Sequence, residues 1–400
     1  MRSSSLMKIL FVTDVAPPLL GGGEIYVTQI GTELTRLGHE IHWLTARMHN
    51  TKEYESFHGI HIHRIPILFK NKFYFPGRQT FPFMLRFQKL DFVREMDVIQ
   101  TNTLVAGYSG WRLAKKYNKP SLLFCHEFLG ELWNKVGNNL LERKVYPKIE
   151  MRIARSPYDW FACPSEYSKS TMIKAGSPEN KITIIPHGIN HDLFNQGTDG
   201  EDLRKKFGLE DTPLFGYVGR LRIKSTTQSK NLVTLLKVAK IVTDQLPASR
   251  LVLAGAGYEE EMKPIVEKMG LDKYVIYIGN IPYVKNPEFL RMCDLIVCTA
   301  VADGFCFLLA EASACGRPVI ATNVGAHKER VLHGKTGYLV GIAAEEIAKF
   351  IIQTLLDKNN FKNLREDAYK NAAGLSWERS ATKHIEVYEM LISKNRKNRK

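Results

Sequence analysis

Two rhythms of apolar residues alternate along this chain. Short continuous apolar runs, the first being Ile9-Leu10-Phe11-Val12, have the character of buried strands. Between them apolar positions recur at helical spacing. Ile30, Leu34 and Leu37 mark one helix face, and Gly38 marks its end. In the first half this reading predicts strands over residues 7–13, 40–45, 97–101, 121–125, 160–163 and 182–185. One helix begins at Ile25 and another covers residues 104–116. In the second half it predicts strands over 214–218, 250–253, 274–278, 294–299, 318–321 and 337–340, with a helix over 231–245. Such regular succession predicts parallel sheets covered on both faces. Residues 195–211 are polar, carry Gly197 and Gly200, and read as a linker. The expected fold class is α/β: two parallel-sheet domains, 1–194 and 195–375, facing across a cleft where ligands commonly bind.

A length of 400 residues suits two domains that each bury a core. The 44% hydrophobic and 24% charged content is that of a soluble globular protein, without an apolar run long enough to span a bilayer. Met1–Leu6 is too short and polar for a secretory signal. Cys125, Cys163, Cys293, Cys298, Cys306 and Cys315 are scattered through apolar segments without zinc or redox spacing. They read as free thiols in a reducing cytosol. Composition thus leaves the site chemistry open, but charge does not. Net charge is +15, and much of the excess is local. Residues 64–94 hold seven bases and one acid, and residues 394–400 hold five bases and no acid. That asymmetry points to anionic surfaces. Residues 69–90 interleave aromatic rings with bases, including Lys70, Lys72, Phe73, Tyr74, Phe75, Arg78 and Arg86. Such a segment suits an anionic membrane face, where rings enter the acyl boundary and bases meet head groups. A core helix with solvated bases is the competing account. No nucleic-acid recognition module is legible.

The most specific chemistry lies in Asp303-Gly304-Phe305-Cys306-Phe307, followed by Glu311 within the helix that Gly316 stops. A loop feeding a helix N-terminus attracts phosphate, and two carboxylates nearby suit a polyhydroxylated ligand. The other predicted strands of this half end in Gly219-Arg220, Gly255-Ala256-Gly257 and Gly279, with Lys230 further along the first loop. These loops share one sheet edge, and their cations and backbone groups are those a nucleoside diphosphate needs. In the first half, Gly21-Gly22-Gly23 permits close phosphate approach without the spaced glycines of a dinucleotide site. His126 follows a strand at its carboxyl end, where α/β ligands bind. There is no Asp-x-Asp, and no His/Cys/Asp cluster has ligand spacing, so no essential metal is expected.

Together these segments resemble the family 4 glycosyltransferases of the GT-B fold over nearly the whole chain. The resemblance is carried by Pro17-Pro18, Gly21-Gly22 and Glu24; by Gly219-Arg220-Leu221 with Lys230-Asn231-Leu232; by Leu253-Ala254-Gly255 with Gly257; and by Asp303 with Glu311. Val324-Gly325-Ala326, Glu329, Gly334-Lys335-Thr336-Gly337 and Trp377-Glu378 continue it. It implies two Rossmann-like domains, with a helix over 376–400 returning to the N-terminal, acceptor-side one. It further implies a retaining, metal-independent transfer of a hexose-type sugar from a nucleoside diphosphate sugar, UDP before GDP, without a bound cofactor. Carried over, Arg220 and Lys230 neutralise the leaving diphosphate, Asp303 contacts the donor sugar and Glu311 the ribose. His126 lies beside the reacting carbon, and Gly22 and Gly23 approach the diphosphate. Gly219, Gly257, Gly279, Ile281, Gly304, Phe305, Cys306 and Phe307 complete the donor site. The basic-aromatic segment implies a lipid-linked glycan or glycolipid acceptor and a peripheral position on the inner membrane face, with no nucleic acid partner. The sequence departs from the pattern in three places. Asp303 stands where Glu is usual, Cys306-Phe307 replace a glycine and an aliphatic residue, and the loop from Arg220 to Lys230 is long, making Lys224 a rival. These departures keep open a donor-binding but inactive scaffold. A sugar-nucleotide epimerase of related architecture is the third reading.

Overall fold

The computed structural model of the protein describes residues 6–19, 21–72, 76–102, 104–197, 199–223 and 229–397. The chain forms two compact units. One comprises Met1–Gly130, Val145–Gly188 and Trp377–Lys400; the other comprises Glu131–Lys144 and Ile189–Ser376.

The first unit is built on an eight-stranded sheet. Its strands are β1 (Lys8–Val12), β2 (Glu40–Ala46), β3 (Tyr54–Phe57), β4 (Ile60–Ile65), β5 (Val98–Asn102), β6 (Ser121–Phe124), β7 (Trp160–Cys163) and β8 (Ile182–Ile184). They lie in the order β3-β4-β2-β1-β5-β6-β7-β8. All pairings are parallel except β3 with β4. The β3–β4 hairpin was not among the expected strands. Its Ile-His-Ile-His alternation buries one face only, which is weaker than a continuous apolar run. The strand order reverses direction between β1 and β5, so the loops leaving their carboxyl ends diverge and open a crevice there.

The second unit holds six parallel strands: β9 (Leu214–Val218), β10 (Arg250–Ala254), β11 (Val275–Gly279), β12 (Leu295–Cys298), β13 (Val319–Thr322) and β14 (Gly337–Val340). Their order is β11-β10-β9-β12-β13-β14, with the reversal between β9 and β12. Alternate residues fill two separate cores. Phe215, Tyr217, Leu251, Leu253 and Val297 pack on one face, while Leu214, Val252, Ile296 and Cys298 pack on the other. Burial on both faces explains why these strands read as continuous apolar runs.

Two structural expectations need correction. The polar stretch 195–211 is not a linker: it contains the helix Asp199–Lys206, packed on the helix Asn286–Met292. Gly200 is there because a Cβ would lie 2.3 Å from the Arg291 carbonyl carbon. Its lack of apolar periodicity hid the helix. Nor is the charge of residues 64–94 all surface charge. Arg64 is 2% exposed, donates to Glu55 at 2.5 Å and to the Pro17 carbonyl at 2.8 Å.

The final helix, Trp377–Lys397, returns to the first unit and packs on the helix Gly22–Arg36. A buried polar network ties them together. Tyr26 Oη lies 2.6 Å from His384 Nε2 and accepts from Gln100 Nε2 at 3.0 Å. Tyr388 Oη donates to Gln100 Oε1 at 2.6 Å. Burial holds His384 at about 4, well below an ordinary histidine, so it is neutral at pH 7. No described helix is long and apolar enough to cross a membrane.

Candidate active site

In the second unit the site grows from the reversal between β9 and β12. These two strands are neighbours, so the loops leaving their carboxyl ends start side by side. The β9 loop turns at Gly219, whose φ of +155° lies at the edge of the region where side chains are strained. Arg220 follows and is exposed. Gly255, after β10, must be glycine: φ is +130°, and a Cβ would lie 1.8 Å from the Gly219 carbonyl oxygen. The backbones of the two turns therefore touch. Gly257, at φ +101°, leaves similarly little room beside Arg222 and the Leu221 carbonyl.

Lys230 is fixed at the far end of the β9 loop. Thr299 donates its hydroxyl to the carbonyls of Lys230 and Asn231 at 3.1 Å. Val301 N donates to the Ser229 carbonyl at 2.7 Å. This leaves Lys230 Nζ 2.5 Å from Asp303 Oδ2. Burial opposes the Lys230 charge, but Asp303 outweighs it and keeps the ammonium well above the ordinary lysine range. Burial would likewise raise Asp303, yet Lys230 and then His327 hold it at about 2. Both are therefore charged at neutral pH. Tyr217, buried beneath, lies within electrostatic reach of Lys230 and Arg220. The structure thus sets Lys230 against Asp303, with Arg220 exposed at the head of the loop that Lys230 ends. Lys224, the rival, lies outside the described residues.

Asp303 also organises its own loop. Its Oδ1 accepts from the backbone N–H of Phe305 at 3.1 Å and of Cys306 at 2.6 Å. Its carbonyl accepts from Ala326 N at 2.9 Å, and Gly325, at φ +54°, leaves no space for a Cβ against it. The expectation that the loop's N–H groups await phosphate needs correction at these two positions, because Asp303 already engages them. Cys306 takes a left-handed φ of 62° and starts the helix Phe307–Ala314. Phe305 is buried under the Arg330 guanidinium, 4.7 Å from the ring centroid. Its ring meets Phe307 edge to face at 5.1 Å, and Gly304 is buried in the turn before them.

Glu311 is buried within that helix and accepts from Tyr283 Oη at 2.7 Å. Burial pushes its carboxyl up to about 8, opposed only by the Tyr283 hydrogen bond. Tyr283 ends the loop that begins at Gly279, where φ is +112° and the Cβ position is open, and continues through half-buried Ile281. Sequence reasoning placed Gly279 and Ile281 in the donor site but missed that Tyr283 joins this loop to Glu311. The residues lie 28 apart, and tyrosines near glycine turns are too common to signal it.

In the first unit the residues expected near phosphate also meet. The helix Gly22–Arg36 begins at Gly22, so Gly22 and Gly23 form its first turn rather than a loop. Glu24 Oε2 closes the turn by accepting from Gly21 N at 2.7 Å. A Cβ on Gly23 would lie 3.8 Å from His126 Nε2. His126 follows β6 and is held at its carbonyl by the Ser168 hydroxyl at 2.6 Å, while Nδ1 lies 3.2 Å from His187 Nε2. Its Nε2 is buried without a hydrogen-bond partner. Burial holds the ring at about 4, so it is neutral. Arg78 does not present itself to a membrane. It pairs with buried Asp14 at 2.7 Å, beside Glu24. Its guanidinium compensates two acids behind the glycine turn, a role no local pattern announced. Of the other basic-aromatic residues, Lys70 and Arg86 are exposed, the Lys72 side chain is not described, and Phe73–Phe75 lie outside the described residues.

Comparison with known proteins fits this geometry. Residues 20–193 match the family model described as Glycosyltransferase Family 4, and residues 199–373 match Glycosyl transferases group 1. The chain belongs to the family 4 glycosyltransferases. It is an enzyme of hexosyl transfer that uses a nucleotide-sugar donor. A GDP-mannose-dependent alpha-(1-6)-phosphatidylinositol monomannoside mannosyltransferase of Mycolicibacterium smegmatis is 27% identical over 223 residues, 53% of this chain and 56% of the relative. Sucrose-phosphate synthase from Thermosynechococcus elongatus superimposes with a TM-score of 0.83 at 23% identity, covering 97% of this chain and 99% of the other. HepE of Anabaena, in complex with UDP and glucose, gives 0.76 at 19% identity over 96% and 100% of the chains. These likenesses place the glycosyltransferase in the GT-B fold.

Proposed function

We propose that this glycosyltransferase transfers a hexose-type sugar with retention, from a UDP-sugar to a lipid-linked glycan or glycolipid, at the cytoplasmic face of a membrane and with no metal on the diphosphate. The observation that carries the donor half is the charged pair of Lys230 and Asp303 beside the Gly219-Arg220 turn. Arg220 and Lys230 supply positive charge where the leaving diphosphate becomes more negative, so they stabilise the transition state more than the ground state. Before donor arrives, Asp303 occupies the ammonium. On binding, Lys230 exchanges this partner for phosphate, and Asp303 is released toward the sugar hydroxyls. Glu311 receives the ribose, Gly257 and the Gly279–Ile281 loop the nucleoside, and Gly304–Phe307 the hexose. His126 is neutral and has an unpaired buried nitrogen, so it is suited to accept from a sugar hydroxyl rather than to transfer protons. HepE, whose complex holds UDP and glucose, supports the choice of base.

The acceptor half rests on exposed Phe69, Phe83 and Phe87, set among Lys70 and Arg86. The mannosyltransferase relative, named for a phosphatidylinositol mannoside, supports a lipid acceptor. One experiment addresses both halves: incubation with labelled UDP-glucose and other diphosphate sugars, in chelator, with membrane lipids, followed by separation of lipid and soluble products. Label entering the lipid fraction, and lost in Arg220→Ala, is expected. Label in soluble products only would exclude the lipid acceptor. Release of an isomerised nucleotide sugar would indicate an epimerase, and no turnover of any donor would indicate an inactive scaffold.

A further inference from the structure

Below the Asp303 loop, three side chains from separate segments converge: Cys298 at the end of β12, Cys306 at the start of the helix Phe307–Ala314, and His327 at the start of the helix His327–Arg330. All three are buried, at 2%, 4% and 0% exposure. Cys298 Sγ lies 3.9 Å from Cys306 Sγ and 3.8 Å from His327 Nε2, and all three atoms fall within 4.8 Å of one another. We propose that Cys298, Cys306 and His327 form a binding site for a thiophilic divalent cation, zinc by chemistry, which pins the donor loop without touching the diphosphate.

The geometry supports this directly. Zinc takes sulfur at about 2.3 Å and imidazole nitrogen at about 2.0–2.1 Å in a tetrahedron. The edges of that tetrahedron are about 3.8 Å between sulfurs and about 3.6 Å from sulfur to nitrogen. The Cys298–Cys306 and Cys298–His327 separations are those edges within a few tenths of an ångström, and Cys306 Sγ and His327 Nε2 lie within 4.8 Å, so a small inward turn of one side chain brings all three ligand atoms around one point. The sulfurs are too far apart for a disulfide, whose bond is about 2.05 Å. The histidine is set in the right tautomer. Its Nδ1 lies 2.7 Å from the Thr322 carbonyl oxygen, which can only accept, so Nδ1 carries a hydrogen and Nε2 is the atom turned to the sulfurs; a bound dication displaces any proton from Nε2 and replaces it as the positive charge near Asp303. A backbone carbonyl on the far nitrogen is the usual outer support of a metal-bound imidazole.

Charge balance also favours a dication. Two thiolates and one divalent ion sum to zero, and the adjacent Lys230–Asp303 pair is neutral by itself, so the buried region acquires no uncompensated charge. The three protein ligands leave one coordination position for a small ligand such as water. The mechanical consequence follows from the chain. The ion would join β12, the Asp303–Cys306 turn and the segment after Val324, which already packs on the Asp303 backbone through Gly325 and Ala326. Linear spacing could not reveal the site. Cys298 and Cys306 are eight residues apart with a glycine turn between, and His327 comes from the next loop.

The full chain would be purified under reducing conditions without chelator or added metal, and its zinc measured against protein. One zinc ion per chain is expected. Cobalt(II) added to chelator-stripped full chain should give an intense near-ultraviolet thiolate-to-cobalt band. That band should be lost in Cys298→Ser and in His327→Ala, and kept in Cys315→Ser, which alters a buried thiol outside the cluster. Because the first two variants alter buried side chains and so cost stability in their own right, the wild-type cobalt spectrum carries the test. A folded stripped chain, checked by circular dichroism, that gives no such band overturns the site. So does zinc retained at one equivalent in a folded Cys298→Ser/Cys306→Ser variant.

Discussion

Glu311 shows what burial does to a ligand-binding carboxyl. Its site removes water and returns one hydrogen bond, from Tyr283, so the neutral form is favoured and the carboxyl sits at about 8 against an ordinary 4.5. A raised carboxyl means that the folded state holds a proton the unfolded chain has lost. Its contribution therefore favours folding at acid pH, and is lost as pH rises from 4.5 through about 8. Ribose hydroxyls donate best to the ionised form, so binding pulls the proton off. UDP affinity should rise severalfold between about pH 6.5 and 8.5 with proton release in calorimetry, and Glu311→Gln should flatten that profile. A flat profile in the wild type would remove ribose from Glu311. At Lys230 the expectation differs. Lys230→Met should lower turnover by about 10²–10³-fold, as loss of a preorganised transition-state group does. The matched control, Lys268→Met on the exposed surface, should leave steady-state rates unchanged. Equal rates for wild type and Lys230→Met would remove Lys230 from the transition state. Arg220 and Asp303 stood out in the sequence beside glycine-marked turns and Glu311 in the helix that follows, while Lys230 was picked out over Lys224 by the resemblance alone. Their partners did not stand out. Tyr283, Asp14 and the Cys298–Cys306–His327 group meet only through the fold, and no local spacing encodes a contact made between loops.

At the scale of elements, pattern and structure agree where burial is uniform. Strands β7, β9 and β14 coincide with their predicted spans because each apolar run is largely buried and bounded by polar residues, glycine or proline. Agreement fails where one side is wet. The β3–β4 hairpin and the helix Asp199–Lys206 have weak apolar periodicity and were not foreseen. The return of the helix Trp377–Lys397 was expected only by resemblance, and its physical cause is the network through Tyr26, Gln100, His384 and Tyr388. Tyr388→Phe should destabilise the fold by about 1–3 kcal/mol, because the buried Gln100 carbonyl loses its donor while the ring remains. Urea unfolding followed by far-ultraviolet dichroism measures this. A midpoint equal to wild type would mean that apolar packing alone holds the helix.

At the scale of the whole molecule, the charge of +15 has to be divided by what the fold does with it. Arg64 and Arg78 are consumed internally by Glu55 and Asp14, which removes them from any surface field. Lys70 and Arg86 stay outside among exposed Phe69, Phe83 and Phe87, Lys89 and Arg94 stay outside but face Asp91, and Lys394, Arg396 and Lys397 are exposed at the end of the last helix. Ring burial is indifferent to lipid charge, while each surface base near an anionic bilayer contributes about 1 kcal/mol and fades within a Debye length of about 8–10 Å as salt rises. The two contributions can therefore be separated in flotation with vesicles. Anionic vesicles should carry the protein and zwitterionic ones much less. High salt should release the anionic-bound fraction in part, leaving the contribution of the rings. Lys70→Glu/Arg86→Glu should weaken anionic binding by about tenfold or more, since each reversal changes attraction into repulsion. Phe83→Ser/Phe87→Ser should reduce binding to both lipid types, whereas Arg78→Gln should alter stability before it alters flotation, because its partner is buried Asp14. Equal flotation on both vesicle types, or none that responds to either double variant, would detach this surface from the membrane and leave donor chemistry as the function legible in the chain.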